Sequence, residues 1–492
     1  MRLRSVLPQM TLLGALLVSA PLEGFGSEEA MLKLFKILRD RGSISEAEYQ
    51  QLAGMTAKEQ AKPSAKPSAG SASESALSAM DKMEQRLKKG EERLAAIEHG
   101  GKALPTAAHP PAKSAEKWYE KIRIDGYTQF RYTGFLNEEA ETLNVPNDRS
   151  VSKDESMIIR RGRFKIYGDI TDHLYLYSQL DFAGSVFGSG GSFGLQARDL
   201  YADISFDKDK EYRLRLGLSK VPYGWVNMQS SQNRAPMERP DALNLAVEGE
   251  RDQGAYFMYT PKVVRERLRE LVRSGLKGSG DYGMLNLGVF SGQGLNRADL
   301  NGDPHLLARL TYPWKFPNGQ FFETAINAYT GNYVVSTKAV KVDGKNVTPE
   351  ASSNGITDQR IGVSAILYPQ PFGLEAEWNW GRSPELSDDY RSIGTGNLNG
   401  GYVQANYRLK TDFGEVFPFA RWNYYDGPRK FAANAPGTMV NELDFGFEWS
   451  PLPEIELSVM YTHTFERTNS STFPYDRTEN ADRLALQVQW NY

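Results

Sequence analysis

IRIDGYTQFRY (Ile122–Tyr132) is the stretch whose reading decides the fold. Ile122, Ile124, Thr128, Phe130 and Tyr132 share one face, and Arg123, Asp125, Tyr127, Gln129 and Arg131 share the other. Successive side chains of a strand point to opposite faces, so this alternation marks a strand lying between an apolar and a polar medium. The same dyad returns in RFKIYGDI, LYLYSQLDF, RDLYADISF, YRLRLGL, AYFMYTP, MLNLGVF and ARLTYPW. It continues in ETAINAY, GVSAILY, LEAEWNW, YVQANYRL, FARWNYY, LDFGFEW, ELSVMYT and RLALQVQW, which makes about sixteen strands.

The connections alternate between short and long. ITDH, FDKDK, WKFPNG, PQPFG, KTDFG and SPLPE are short, whereas residues 134–156, 220–253, 331–357, 382–399 and 426–440 are long. An even number of strands joined alternately by tight turns and long loops is the pattern of an outer-membrane barrel. An open sheet would leave backbone N–H and C=O groups unpaired in hydrocarbon, so the wall has to close. Aromatics near strand ends suit interfacial girdles: Tyr259, Tyr312, Trp314, Tyr368, Trp378, Trp380, Trp422, Tyr424, Trp449 and Trp490. The fold expected is therefore all-β, a transmembrane antiparallel β-barrel of about sixteen strands preceded by a short helical and coiled-coil periplasmic segment. A soluble propeller or a pair of sandwiches is the alternative. One connection breaks the pattern, because Lys262–Gly280 is long, basic and partly helical where the alternation calls for a short turn.

Composition agrees. The 492 residues are 40% hydrophobic with 11% aromatics, and the mean hydropathy is -0.51. No run reaches the roughly 18 apolar residues of a spanning helix, but a barrel wall needs only alternate residues apolar. The absence of cysteine excludes disulfides, thiolate metal sites and cysteine nucleophiles. With 58 basic and 61 acidic residues, bulk charge does not favour a nucleic-acid partner.

Ahead of the barrel, Arg2 and Arg4 precede the apolar MTLLGALLVSA, so residues 1–26 read as a secretory signal peptide. Residues 27–56 form a short helical segment with apolar residues at helical spacing, and 57–75 (rich in Ala, Ser, Pro and Lys) a flexible linker. Met80, Met83, Leu87, Leu94 and Ile97 follow a heptad seam, making 76–99 a coiled-coil helix or a solvated single helix. A Pro-rich linker fills 100–117, and the barrel occupies 118–492.

Strand parity also assigns the lumen. Arg123 and Arg131, then Arg161, Arg163 and Lys165, then Arg213 and Arg215 fall on polar faces. Closely spaced bases within a Debye length of about 8 Å would pass a small anion from one to the next. Lumenal carboxylates are plentiful as well, among them Asp125, Asp181, Asp199, Asp203, Glu323, Glu375, Glu377, Asp444, Glu448 and Glu456.

The chain resembles the phosphate-selective porin O and P family. The resemblance runs through FKILRDRGSISEAEYQQL, the coiled-coil segment, MIIRRGRFKIYGDITDHLYLYSQLDFAGS and LRLGLSKVPYGWVNMQSSQNRAPMERP. It implies an outer-membrane homotrimer of water-filled anion channels in lipid, with the N-terminal segment in the periplasm. It also implies that the barrel assembly machinery reads the C-terminal aromatic Tyr492. The family's paired arginines correspond to Arg160 and Arg161; strict alternation would put Arg160 on the lipid face, so a bulge or a position near the headgroups is needed for both to line the pore. The constriction is expected in the loop carrying Lys220, Asn227, Gln229, Arg234, Arg239 and Arg251. This loop has no lysine beyond Lys220, and its acids Glu238, Asp241, Glu248, Glu250 and Asp252 oppose its bases.

The function expected is a channel for small anions, phosphate or related oxyanions, with a weakly selective general diffusion porin as the alternative. No enzyme, cofactor or metal site is expected. A lipid-facing hydrolase would need a serine beside His173, His305 or His463, which the spacing does not supply.

Overall fold

The computed structural model describes Lys36, Arg39 and residues 117–137, 151, 155–183, 194–469 and 476–492. The chain divides into two compact units, Met1–Lys113 and Ser114–Tyr492. In the first, only Lys36 and Arg39 are described, both helical. The signal peptide, helical segment, flexible linker, coiled coil and nearly all of the Pro-rich linker lie outside the described residues.

The second unit is a barrel. Its first strands are β1 (Arg123–Phe135), β2 (Ser156–Asp169), β3 (Leu174–Ala183), β4 (Gly194–Ser205), β5 (Tyr212–Lys220), β6 (Arg251–Tyr259), β7 (Leu285–Phe290), β8 (His305–Lys315) and β9 (Phe321–Tyr333). A small hairpin, β10 (Val340–Val342) with β11 (Lys345–Val347), sits in the next loop. The wall resumes with β12 (Ile356–Leu367), β13 (Phe372–Leu386) and β14 (Ile393–Tyr407); β15 (Leu409–Thr411) is a short extension paired with β16 (Gly414–Pro428). β17 (Gly437–Leu452), β18 (Ile455–Asn469) and β19 (Asp476–Asn491) complete it. Sixteen strands make the wall, each pairing antiparallel with its neighbours, and β19 returns to β1 with Tyr127 opposite Asn491. The seam ends on Tyr492, whose backbone N–H donates to Gly126 O at 3.0 Å and whose carbonyl accepts from Gly126 N–H at 2.7 Å. No side chain fits at Gly126, since a Cβ would lie 2.2 Å from the Arg163 carbonyl oxygen and 2.5 Å from the Tyr492 ring.

The outer surface is apolar, with Ile124, Leu200, Leu216, Phe257, Leu310, Ile326, Val363 and Phe445 exposed and the intervening residues turned inward. Nine of the ten expected girdle aromatics keep the outward phase. Tyr368 does not. It continues the inward series Asp358, Arg360, Ser364 and Ile366 and lies fully buried in the lumen. Its position near a strand end is interfacial, but its parity is not.

Two loops are shorter than the sequence implies. β13 and β14 stay paired up to Leu386 opposite Ile393, so the loop placed at 382–399 shrinks to 387–392. β16 and β17 likewise leave only 429–436 of the loop placed at 426–440. The ladder continues past the apolar band, where side-chain alternation no longer reports it.

Two connections enter the barrel. From the long-loop rim, residues 221–250 fold inward with two single helical turns, α1 (Trp225–Met228) and α2 (Asp241–Asn244). From the short-turn rim, β6 is joined to β7 by helix α3 (Lys262–Arg273) and an irregular stretch to Met284. Apolar residues recurring every three or four positions give α3 one apolar face, and Val264, Leu268 and Leu271 on it are buried. They join Leu276, Val221, Tyr223, Trp225, Leu243 and Val247 in a core that packs on inward residues of the wall, including Phe321, Tyr329, Ile366, Tyr402 and Tyr425. The principal hydrophobic core therefore lies inside the barrel, on the side of β7 to β17.

Trp225 is central to that core. It is 1% exposed, meets the Tyr368 ring edge-on at 6.2 Å and donates its indole N–H to the Tyr368 hydroxyl at 3.2 Å. Replacing Trp225 with Ala is expected to cost about 3–5 kcal/mol. A urea titration followed by band shift on unheated gels, with single-channel noise as a second readout of a loosened loop, checks this.

Candidate functional site

The wall of β1 to β6 supplies the basic residues, and two irregularities in it decide where they point. Between β1 and β2, Gln129 faces Arg161 while Phe130 faces Ile159, so Arg160 is an extra residue in the ladder. Between β3 and β4, Gln179 faces Asp199 while Leu180 faces Ala197, which leaves Arg198 extra. A bulge lets two consecutive side chains share one face. Arg160 and Arg161 are both buried inside, and so are Arg198 and Asp199.

The infolded loop meets this wall through two carboxylates. Glu238 lies 2.9 Å from Arg131, 2.9 Å from Arg160 and 3.0 Å from Arg161. Gln487 holds Arg131 at 2.8 and 3.0 Å, and Gln129 accepts from Arg161 at 2.8 Å. Glu250 gathers Arg239 at 2.9 Å, Lys220 at 3.5 Å and Arg234 at 3.7 Å, and it touches Arg251. Burial pushes both carboxyl pKa values up, but the surrounding cations outweigh it. Arg160, Arg161 and Arg131 hold Glu238, and Arg239, Lys220 and Arg251 hold Glu250, well below the ordinary carboxylate range.

The remaining bases descend the wall in pairs. Arg163 reaches Asp181 at 3.2 Å, Arg215 grips Asp203 at 2.7 and 2.9 Å, Arg213 reaches Asp281 at 2.7 Å, and Arg251 reaches Asp199 at 3.1 Å. Lys165 contacts Asp125, and Arg123 stands exposed at the strand's beginning. The residues singled out in the sequence thus share one side of the lumen, each buried one with an acidic partner. Of the loop residues expected at the constriction, Lys220 and Arg251 border the cavity, with Ser230, Gln232 and Asn233 beside them. Asn227, Gln229, Arg234 and Arg239 instead brace the loop. Asn227 donates to Leu243 O at 2.9 Å and accepts from Arg239 at 2.8 Å, Gln229 donates to Lys277 O at 2.8 Å, and Arg234 donates to Ser231 Oγ at 3.1 Å.

Between this wall, the loop and the α3 segment lies a cavity of about 530 Å³. Nine bases line it, Arg163, Lys165, Lys210, Arg213, Arg215, Lys220, Arg251, Arg265 and Arg269, against four acids, Asp169, Asp199, Asp203 and Asp281. Tyr175, Tyr177, Tyr201 and Tyr282 line it as well. Tyr177 stacks on Tyr201 with centroids 5.2 Å apart, and the Arg215 guanidinium lies over the Tyr201 ring, 3.9 Å from its centroid. Arg265, Arg269 and the tyrosines are cavity residues that sequence reasoning missed, and Arg198 is a further buried base of the wall that it missed. Tyr175 and Tyr177 were visible in the inward phase of LYLYSQL and Tyr201 in that of RDLYADISF, whereas Tyr282 lies in an irregular connection and the bulge at Arg198 had no local signal.

The acidic side of the lumen is occupied differently. Glu377 accepts the backbone N–H groups of Trp225 and Val226 at 2.5 and 2.8 Å, and Glu448 holds Lys277 at 2.6 Å. Glu323 accepts from Tyr368 at 2.6 Å and Thr311 at 2.8 Å. Asp444 holds Arg421 at 2.6 Å, and Arg421 donates to Glu238 O at 2.7 Å. None of these acids borders the cavity. His463 faces outward and pairs with Asp482 at 2.8 Å, and among the described residues no serine hydroxyl is bonded to it.

The sequence matches the model of a family described as phosphate-selective porin O and P over residues 130–492. No curated protein matches it. Among solved structures, the outer membrane channel DcaP of Acinetobacter baumannii superposes with a TM-score of 0.47 at 15% identity, over 75% of this chain and 97% of that one. Salmonella typhi OmpF in complex with daunomycin gives 0.46 at 12%, over 75% and 97%. An anion-selective porin from Comamonas acidovorans gives 0.42 at 13%, over 75% and 99%.

Two outcomes follow from Glu238. Its depressed carboxyl contributes fully to loop docking above the ordinary carboxylate pKa of about 4.3, and that contribution fades only as pH falls through the lower folded value. Conductance recorded from about pH 5 to about pH 8 should therefore be insensitive to this group. The Glu238→Gln substitution leaves three arginines short of a countercharge and should raise the anion-to-cation permeability ratio about fivefold, the worth of one unit charge about 4 Å away in water. Reversal potentials measure it.

Proposed function

The chain belongs to the phosphate-selective porin O and P family, and on that premise we propose that its barrel carries small anions, phosphate or related oxyanions, along the basic side of the lumen. Family and fold make it an outer-membrane channel of the Gram-negative type. In the finer reading, the short-turn rim and the N-terminal segment face the periplasm, three copies associate, outer-membrane lipid surrounds the wall, and the assembly machinery reads Tyr492. The protein is a conduit and not a catalyst.

The observation that carries the reading is the lining of the cavity, nine bases to four acids, in a chain whose overall charge is -3. A positive lining raises the local anion concentration, and arginine suits the role because it stays charged and forks onto two oxyanion oxygens. The carboxylate beside each wall base weakens its hold on any one anion. A conducting site must bind weakly enough to release.

The same pairing supports a second reading, a general diffusion porin with weak ion selectivity. Reversal potentials in planar bilayers under a KCl gradient separate the two, since anion preference supports the first and a value near zero the second. If bases in the cavity set the flux, Arg163→Gln and Arg215→Gln should each lower chloride and phosphate conductance about two- to fivefold. Lys345→Gln, in the exposed β10–β11 hairpin, serves as the control and should change conductance little.

A further inference from the structure

β6 and β7 are adjacent antiparallel strands, and a tight turn would join them. Instead, residues 260–284 cross the bore. Near its start the segment is tied to the β4–β5 turn, where Arg265 donates to the carbonyls of Asp209 and Lys210, both at 2.8 Å. At its far end Lys277 reaches Glu448 on β17 at 2.6 Å. β6 and β17 stand eight places apart in the ring of sixteen, so the segment spans the lumen from one wall to the opposite one. In between, Leu268, Leu271 and Leu276 are buried in the core shared with the infolded loop, and Gln229 of that loop donates to Lys277 O at 2.8 Å.

We propose that this cross-lumen segment determines selectivity by keeping the acidic half of the wall out of the conduction path. The proposal rests on the anion-channel reading. Beneath the segment and the loop lie Glu375, Glu377, Glu448 and Glu456, each at most 8% exposed and none bordering the cavity. Left open to water, four carboxylates on one wall would draw cations into the same bore that the arginines offer to anions. Covering them removes that field from the path, because the cavity lies against β2 to β6. The segment also adds positive charge where it borders the cavity, through Arg265 and Arg269. Its apolar face makes it a fixed partition, since swinging aside would expose three buried leucines and strand Lys277 and Glu448.

The absence of native cysteine allows a direct test. Ser458 faces inward directly opposite Glu448 on the covered side, and Asn233 borders the cavity. In the otherwise intact protein, Asn233→Cys should react with a charged methanethiosulfonate reagent and lose current, while Ser458→Cys should remain unmodified. Replacing Lys262–Gly280 with a four-residue turn should make Ser458→Cys reactive, at least double the single-channel conductance and move the KCl-gradient reversal potential toward cations. Equal reactivity of the two cysteines in the full-length barrel would overturn the proposal. So would a folded shortened barrel with unchanged conductance and potential. If the shortened barrel does not assemble, the cysteine contrast in the full-length protein decides alone. A full-length channel without anion preference would refute the anion-channel reading, whereas the cysteine contrast and the cationward shift on shortening still judge the partition.

Discussion

Every backbone N–H and C=O in a wall surrounded by hydrocarbon must find its partner within the wall, and the rest of this structure depends on that constraint. It requires β19 to return to β1, and Tyr492 completes the seam against Gly126. Closure also fixes the alternation of side chains, because a slip of one residue would exchange the lipid and lumen faces of a strand. Departures from alternation are then confined to bulges. Both bulges in the β1–β4 region add an arginine to the lumen, Arg160 in one and Arg198 in the other.

With the wall closed, the lumen is too wide for side chains from opposite strands to meet, and the chain fills part of it with its own connections. Acidic wall residues receive them. Glu377 takes the N–H groups at the start of α1, and Glu448 takes Lys277. The basic wall docks the loop chiefly through Glu238 and Glu250, with lighter contacts from Arg163 and Lys165 to Ser231 and Gln232, and also borders the cavity. Breaking any of these buried pairs would leave an uncompensated charge, so the partition of the lumen is held electrostatically as well as by its apolar core. Near-neutral overall charge thus coexists with a cavity whose lining is mainly basic.

Much of this was legible in the sequence where the information is local. Strand number, inward phase and the long basic connection between β6 and β7 follow from periodicity and from counting short and long gaps. Tyr368 shows the limit of reading by position, since its place near a strand end suggested lipid while its phase put it inside against Trp225. The loop around 382–399 shows another, because strands that rise above the apolar band stay paired without an apolar signature. Arg160 needed an irregularity that alternation alone does not contain.

Sequence by itself determined the barrel, since the period of two and the alternating connections are properties of neighbouring residues and hydrocarbon leaves no other β solution. It also supplied the pool of bases and acids from which a lumen could be built. Only the tertiary structure decided which of those charges meet. Glu238 lies beside Arg131 and Arg161 although 107 and 77 residues separate them, and Lys277 meets Glu448 across 171. Contacts of that span are set by closure of the ring and by the two connections that enter it, so no local pattern can announce them.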